Sequence, residues 1–181
     1  MANRSKKVVL SARIDPYLKA ALELLAASRS EKIVKLLESF IENGLYDIEV
    51  TAPVVLNRAN QGHEKVSFMN LFTAIWSEDE VLYKVRAGVL GPQYAGETIW
   101  RQALVASVED CFKGADDLYG DLNGLTKKLG FSISGCYKLN MDLIREEWPI
   151  IESYVAFVEN NKPFEPSYTD YKKMLANSKA K

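Results

Sequence analysis

The feature that most constrains this chain is an alternating segment with no neighbour to pair with. Residues 8–14 place Val8, Leu10, Ala12 and Ile14 on one face and Val9, Ser11 and Arg13 on the other, the period of two that marks a strand. Asp15-Pro16 stops it, because Asp is a preferred helix N-cap and Pro suits the first helical position. The spacing of Leu18, Ala21, Leu22 and Leu25 predicts a helix over residues 16–27 with one apolar stripe. Ser28-Arg29-Ser30-Glu31 reads as a capping box that opens a second helix. That helix runs to about residue 43, with Ile33, Leu37, Phe40 and Ile41 turned inward and Gly44 as its cap.

One strand and two short helices cannot make a stable unit. The strand lacks a partner, and a module of about forty residues buries too little surface without a staple or a second chain. The simplest solution pairs the strand with its copy in another chain, as a two-stranded antiparallel ribbon over four helices. The expected dimer core is Leu10, Ala12, Ile14, Leu22, Ile33, Leu37 and Phe40.

The order and spacing of these elements, Ser11-Ala12-Arg13-Ile14-Asp15-Pro16 and then Ser28-Arg29-Ser30-Glu31-Lys32-Ile33, resemble the ribbon-helix-helix DNA-binding family of the Arc, MetJ and CopG type. The resemblance covers roughly a quarter of the chain. It implies that the ribbon's outer face enters the major groove of double-stranded DNA, which has room for two strands. The base readers would be Val9, Ser11 and Arg13. Arg13 can donate twice to guanine, Ser11 can serve several bases, and Val9, where the family usually has a polar residue, can touch a thymine methyl. Ser28, Arg29 and Ser30 would hold a phosphate at the start of the second helix, and Lys6 and Lys7, with Arg4, would add salt-dependent attraction.

Charge agrees with this polarity. The chain carries 23 Lys and Arg against 24 Asp and Glu. Residues 1–45 hold eight bases and five acids, net +3, and residues 46–181 hold fifteen and nineteen, net −4. A basic head on an acidic body suits a protein that meets a polyanion at one end.

Residues 46–66 read as a linker that packs partly on the downstream helices, with short strand candidates at 47–50 and 54–56 around Pro53. Residues 67–181 read as a helical domain. Helices are predicted over 67–76, from the capped start at Ser77 to residue 90, over 97–112 with a stripe of Ile99, Trp100, Ala103, Leu104, Ser107 and Val108, over 116–129, over 140–159 around Pro149, and over 168–176. Residues 125–139 loosely resemble a helix-turn-helix that would present Ser134 and Lys138.

The fold class expected is therefore mainly α, with a dimerising N-terminal ribbon-helix-helix (1–45), a linker (46–66) and a helical domain of oligomerising, ligand-binding or partner-binding role (67–181). Two cysteines, Cys111 and Cys136, and one histidine, His63, argue against a disulfide scaffold, a zinc site or a nickel sensor; Cys111 reads as a packed structural thiol. No phosphate loop, dinucleotide motif or nucleophile elbow is present, and no nucleophile stands beside a base. The reading is not an enzyme, no cofactor, no metal, no membrane span and no signal peptide, in the cytoplasm. The expected function is a sequence-specific DNA-binding regulator, by default a repressor, acting as a homodimer or higher assembly on DNA. The alternatives are an antitoxin or adaptor whose body binds a protein, or an accessory protein of plasmid partition or the relaxosome.

Overall fold

The computed structural model describes residues 8–57, 65–120, 132, 133, 135 and 137–179. The chain is mainly helical. Helix α1 spans Pro16–Arg29 and α2 spans Ile33–Asp47. Asp15 caps α1 as expected, its Oδ1 accepting from the Tyr17 N–H at 2.7 Å, and Pro16 opens the helix. Residues 8–15 lie outside any helix or hydrogen-bonded strand, as a strand lacking a second strand must.

The junction between the helices differs from the capping box. Ser30 adopts left-handed backbone angles (φ 52°, ψ 38°), and the N–H groups of Ser30 and Glu31 reach back to the carbonyls of Ala27 and Ala26. This is the Schellman end of α1. Ser28 is inside its last turn, and its hydroxyl donates to the Leu25 carbonyl at 2.8 Å. The residue before α2 is Lys32, with no side-chain capping bond, and Glu31 pairs with Lys35 at 2.9 Å. Gly44 lies within α2, which continues to Asp47.

The described residues of the stretch expected as a linker include short strands. Strand β1 (Glu49–Thr51) pairs antiparallel with β3 (Lys65–Ser67), and β2 (Leu56–Asn57) pairs with β5 (Ser132–Ile133). Val55, Leu56 and Val66 are buried in the main core. Of the apolar residues that suggested short strands, Val55 and Leu56 are buried and Val50 packs against the core, while Ile48 and Val54 are exposed.

Helices α3 (Phe68–Ile75) and α4 (Glu80–Val89) come next. Asp79 caps α4, its Oδ1 accepting from Val81 and Leu82. Helix α5 (Pro92–Val108) changes direction at Gly96, where φ is +76°, a conformation glycine reaches without strain. Its buried face is Gln102, Ala103 and Ala106, while Leu104 and Val108 are exposed. The expected stripe is thus rotated, because α4 packs closely: a Cβ on Gly88 would meet Ala103 Cβ at 2.3 Å. A short 3-10 turn (Asp110–Phe112) ends the segment expected as continuous helix.

Asp116 and Asp117, expected on a helix, sit on strand β4 (Lys113–Asp117), paired with β6 (Lys138–Leu139). Lys138 is thereby on a strand, which removes the helix-turn-helix reading; Ser134 and Cys136 lie outside the described residues. Helix α6 (Met141–Asn160) passes through Pro149 unbroken, and α7 (Tyr168–Lys179) closes the described chain. The core gathers Leu71, Ala74, Val85, Phe112, Leu118, Ile144 and Ile151 around Leu56. No helix among the described residues is long and apolar enough to cross a membrane.

Candidate nucleic-acid interface

The expected base-reading residues are all solvent-exposed. Val9 is 94% accessible, and Ser11 and Arg13 are exposed beside it. Lys6 and Lys7 lie outside the described residues, as does His63. Of the phosphate set, Ser28 belongs to the C-terminal turn of α1, where a hydroxyl donating to a backbone carbonyl is engaged away from an incoming anion. Arg29 ends α1 and Ser30 forms the left-handed turn. The residue that precedes α2 is thus Lys32, which makes no side-chain capping bond.

The other face of the same segment is apolar and open. Leu10, Ala12 and Ile14 line a groove of about 660 Å3 together with Leu18, Ala21, Leu22 and Leu25 of α1 and Leu37, Phe40 and Ile41 of α2. Six of the seven expected dimer-core residues thus converge on one concavity. Leu10 is 80% exposed and Ile14 49%, which is untypical of residues at the centre of an apolar cluster. Ile33, the seventh, is exposed at the start of α2 and outside this lining. Within α1 and α2 the buried residues are Ala26 and Leu36.

A second groove, of about 430 Å3, runs along the adjacent flank of α2, with Ile41 lining both. Glu38, Ile41, Glu42 and Leu45 form one wall, and Phe68, Met69 and Phe72 of α3 with Tyr83 of α4 form the other. Phe68 and Phe72 stack with ring centroids 6.5 Å apart, and Phe72, Trp76 and Tyr83 make a triangle with separations of 5.5–6.1 Å. Sequence pattern alone does not mark this site. The i, i+4 spacing of Phe68, Phe72 and Trp76 is its visible trace.

The carboxylates of the body are mostly occupied by structure. Asp79 binds two backbone N–H groups and Arg145, whose Nε lies 2.6 Å away. Burial alone would raise its pKa, but the Leu82 N–H and Arg145 outweigh burial and hold it below the usual carboxylate range. Asp116 accepts from the Met141 N–H, and Asp117 from the Tyr119 N–H, both at 3.1 Å. Glu147 accepts from the Tyr168 hydroxyl at 2.8 Å and pairs with Lys172. Burial and that carboxylate push the Tyr168 hydroxyl well above the ordinary tyrosine range.

Cys111, expected as a packed thiol, lies exposed on the 3-10 turn. Partial desolvation, with Glu147 and Glu109 nearby, raises its pKa, which disfavours the thiolate. Arg86 is 1% exposed, its Nε donating to the Leu118 carbonyl at 2.8 Å and its guanidinium 5.8 Å from the Tyr119 ring. These groups tie α4 to residues 118–119 inside the core. Among the described residues, no three His, Cys, Asp or Glu side chains are placed to share a metal ion.

Comparison with protein-family models, with curated proteins and with solved structures finds no match to this chain.

Proposed function

We propose that this protein is a sequence-specific DNA-binding regulator that acts as a homodimer, with the 8–14 segments of two chains paired as a ribbon in the major groove. One observation carries the reading: a single amphipathic segment whose inner residues open an apolar groove and whose outer residues are Val9, Ser11 and Arg13. A second copy laid on that groove supplies the missing hydrogen-bond partner for residues 8–14 and covers Leu10, Ile14, Leu37 and Phe40. The same act presents two copies of Arg13 and Ser11 on the outer face, where bidentate contact to guanine and adaptable hydroxyl contact are available. Double-stranded DNA is the ligand that a ribbon of this width and polarity suits.

Phosphate contact is assigned to the α1–α2 turn, with Lys32 and Arg29 as cations and the first backbone N–H groups of α2 as donors. Ser28 leaves the set and Ser30 serves as the turn residue. Lys6 and Lys7 contribute charge ahead of the ribbon.

The test is binding to random genomic fragments over a salt series, wild type beside Arg13→Ala, with the bound fragments sequenced. Enrichment of a short repeated motif by the wild type, lost in the variant, is expected. Motif-free binding that vanishes near physiological salt would instead leave residues 8–47 as a dimerisation unit.

A further inference from the structure

We propose that the cavity between α5 and α6 is a binding site for an apolar α-amino acid of about the size of leucine, with Arg101 receiving its carboxylate and Glu165 its ammonium group. The cavity measures about 180 Å3. Liquid water takes about 30 Å3 per molecule, so the space suits a compact ligand and excludes a nucleotide-sized one. Its hydrocarbon wall is Leu104 and Val105 of α5 with Val155 and Val158 of α6. Val155 and Val158 are buried, so the site is a recess with a packed floor and not an open face. Its polar rim has Arg101 on α5, Tyr154 on α6 and Glu165 on the segment between α6 and α7.

The rim groups are held in place. Glu97, one turn before Arg101 on α5, accepts from its Nε at 2.8 Å and lies 2.7 Å from its Nη2, through one carboxylate oxygen. That pair fixes the guanidinium plane, and a guanidinium offers further N–H donors that a second carboxylate can take. The Tyr154 hydroxyl donates to the Pro166 carbonyl at 2.8 Å, which ties the residue next to Glu165 onto α6. Burial, with Glu109 and Glu165 nearby, raises the Tyr154 pKa. Tyr154 therefore stays a neutral hydroxyl, whose lone pairs can still accept from an ammonium group. Glu165 is exposed and makes no ion pair among the described residues.

Charge and shape together select the ligand class. A simple alkylammonium meets the Arg101 guanidinium along with the Glu165 carboxylate, and an alkyl carboxylate meets the reverse. A small zwitterion satisfies both ends with charge-assisted hydrogen bonds. A neutral hydrocarbon gains only the burial of its surface. Glycine has the right charges but leaves the aliphatic wall facing water, whereas a branched hydrocarbon side chain covers it. The site is built from the body alone, so the assignment does not rest on the DNA-binding reading.

The experiment is calorimetric titration of the full chain, without DNA, with L-leucine, 4-methylpentanoate and 3-methylbutylamine. The three share one hydrocarbon chain and carry both charges, the anion alone and the cation alone. Leucine is expected to saturate one site per chain and to bind about tenfold or more tightly than either analogue. Arg101→Gln should bring leucine down to the affinity of the amine, and Glu165→Gln should bring it down to that of the acid. Such a crossed pattern is one that general loss of structure does not give, and thermal melts should show both variants folded. Absence of leucine binding overturns the proposal, as does an analogue that binds as tightly as leucine, or variants that bind leucine as the wild type does. Because no DNA is present, failure here leaves the operator experiment untouched, and failure of the operator experiment leaves this one standing.

Discussion

Residues 8–47 and the body that succeeds them in the chain use their apolar side chains in opposite ways. Among the described residues, twenty large apolar side chains are exposed, and thirteen of them lie between Val8 and Tyr46. The same stretch contributes Ala26 and Leu36 to the buried set, while the body buries Leu56, Leu71, Val85, Phe112, Ile144 and Ile151 almost completely. Both regions contain amphipathic helices of similar length. The body folds its stripes onto one another, whereas α1 and α2 leave theirs facing a groove that residues 8–14 only edge. An amphipathic element shows that a core exists; it does not show that the core is in the same chain. Burial at about 25 cal/mol per Å2 is available to residues 8–47 only if another surface covers them.

The comparison can be broken most sharply by truncation on each side. Ile144→Ala and Leu71→Ala remove side chains that are 0% and 1% exposed and should cost about 2–5 kcal/mol, independent of protein concentration. Leu37→Ala and Phe40→Ala should cost several kcal/mol as well, but with unfolding midpoints that shift with concentration and with loss of the dimer. Chemical denaturation at two protein concentrations separates them. Concentration-independent unfolding of Leu37→Ala would place its side chain in a core within one chain.

A middle-sized effect belongs to the outer face. Arg13→Ala should lose about 1–3 kcal/mol of specific DNA binding and relax one base preference, with the dimer intact. Unchanged affinity for the enriched motif in a competition assay would remove Arg13 from the readers.

In the body, Asp79→Ala should cost about 1 kcal/mol, because it removes the α4 cap together with the Arg145 partner. Asp79 has its pKa lowered in the folded state, so its contribution is fully present above the ordinary aspartate range. It is lost as pH falls through the lower, folded value. Denaturation of wild type and Asp79→Ala at neutral pH and in acid should show the gap closing on acidification; a gap that widens there would contradict this sign.

The smallest effect tests the turn. Ser28→Ala should change stability by less than about 0.5 kcal/mol, since Ser28 donates to Leu25 within α1 and caps nothing. A loss near 1 kcal/mol, measured by thermal melt, would restore Ser28 as the N-cap of α2.

Much of the N-terminal architecture was readable from residue pattern. Asp15-Pro16 announced α1 because capping is local chemistry, and the stripes of α1 and α2 announced their apolar faces because period is local too. Ser28-x-x-Glu31 misled because a serine before a helix and a serine ending one look alike in sequence. The left-handed angles of Ser30, which decide between them, are set by the chain's return path. Asp116-Asp117 resembled a helix start, yet pairing with residues 138–139 over twenty positions away drew them into a strand, and no local signal carries such a partner. Residues 46–66 read as a linker through Pro53 and the polar turn, while Val55 and Leu56 were core residues of a body assembled later in the chain. The α2–α3 groove escaped notice for the same reason: its two walls are far apart in sequence, and only α3's aromatic spacing hinted at it.

The central claim is that residues 8–47 complete their fold with a second copy through the Leu10, Ile14, Leu37 and Phe40 face. Sedimentation of the full chain over a hundredfold concentration range, with Leu10→Asp beside the wild type, tests it most directly. The account predicts twice the mass of one chain for the wild type and the mass of one chain for the variant, with the body's near-ultraviolet dichroism unchanged. A wild type that sediments as a single chain throughout, or a Leu10→Asp dimer as tight as the wild type, would contradict it.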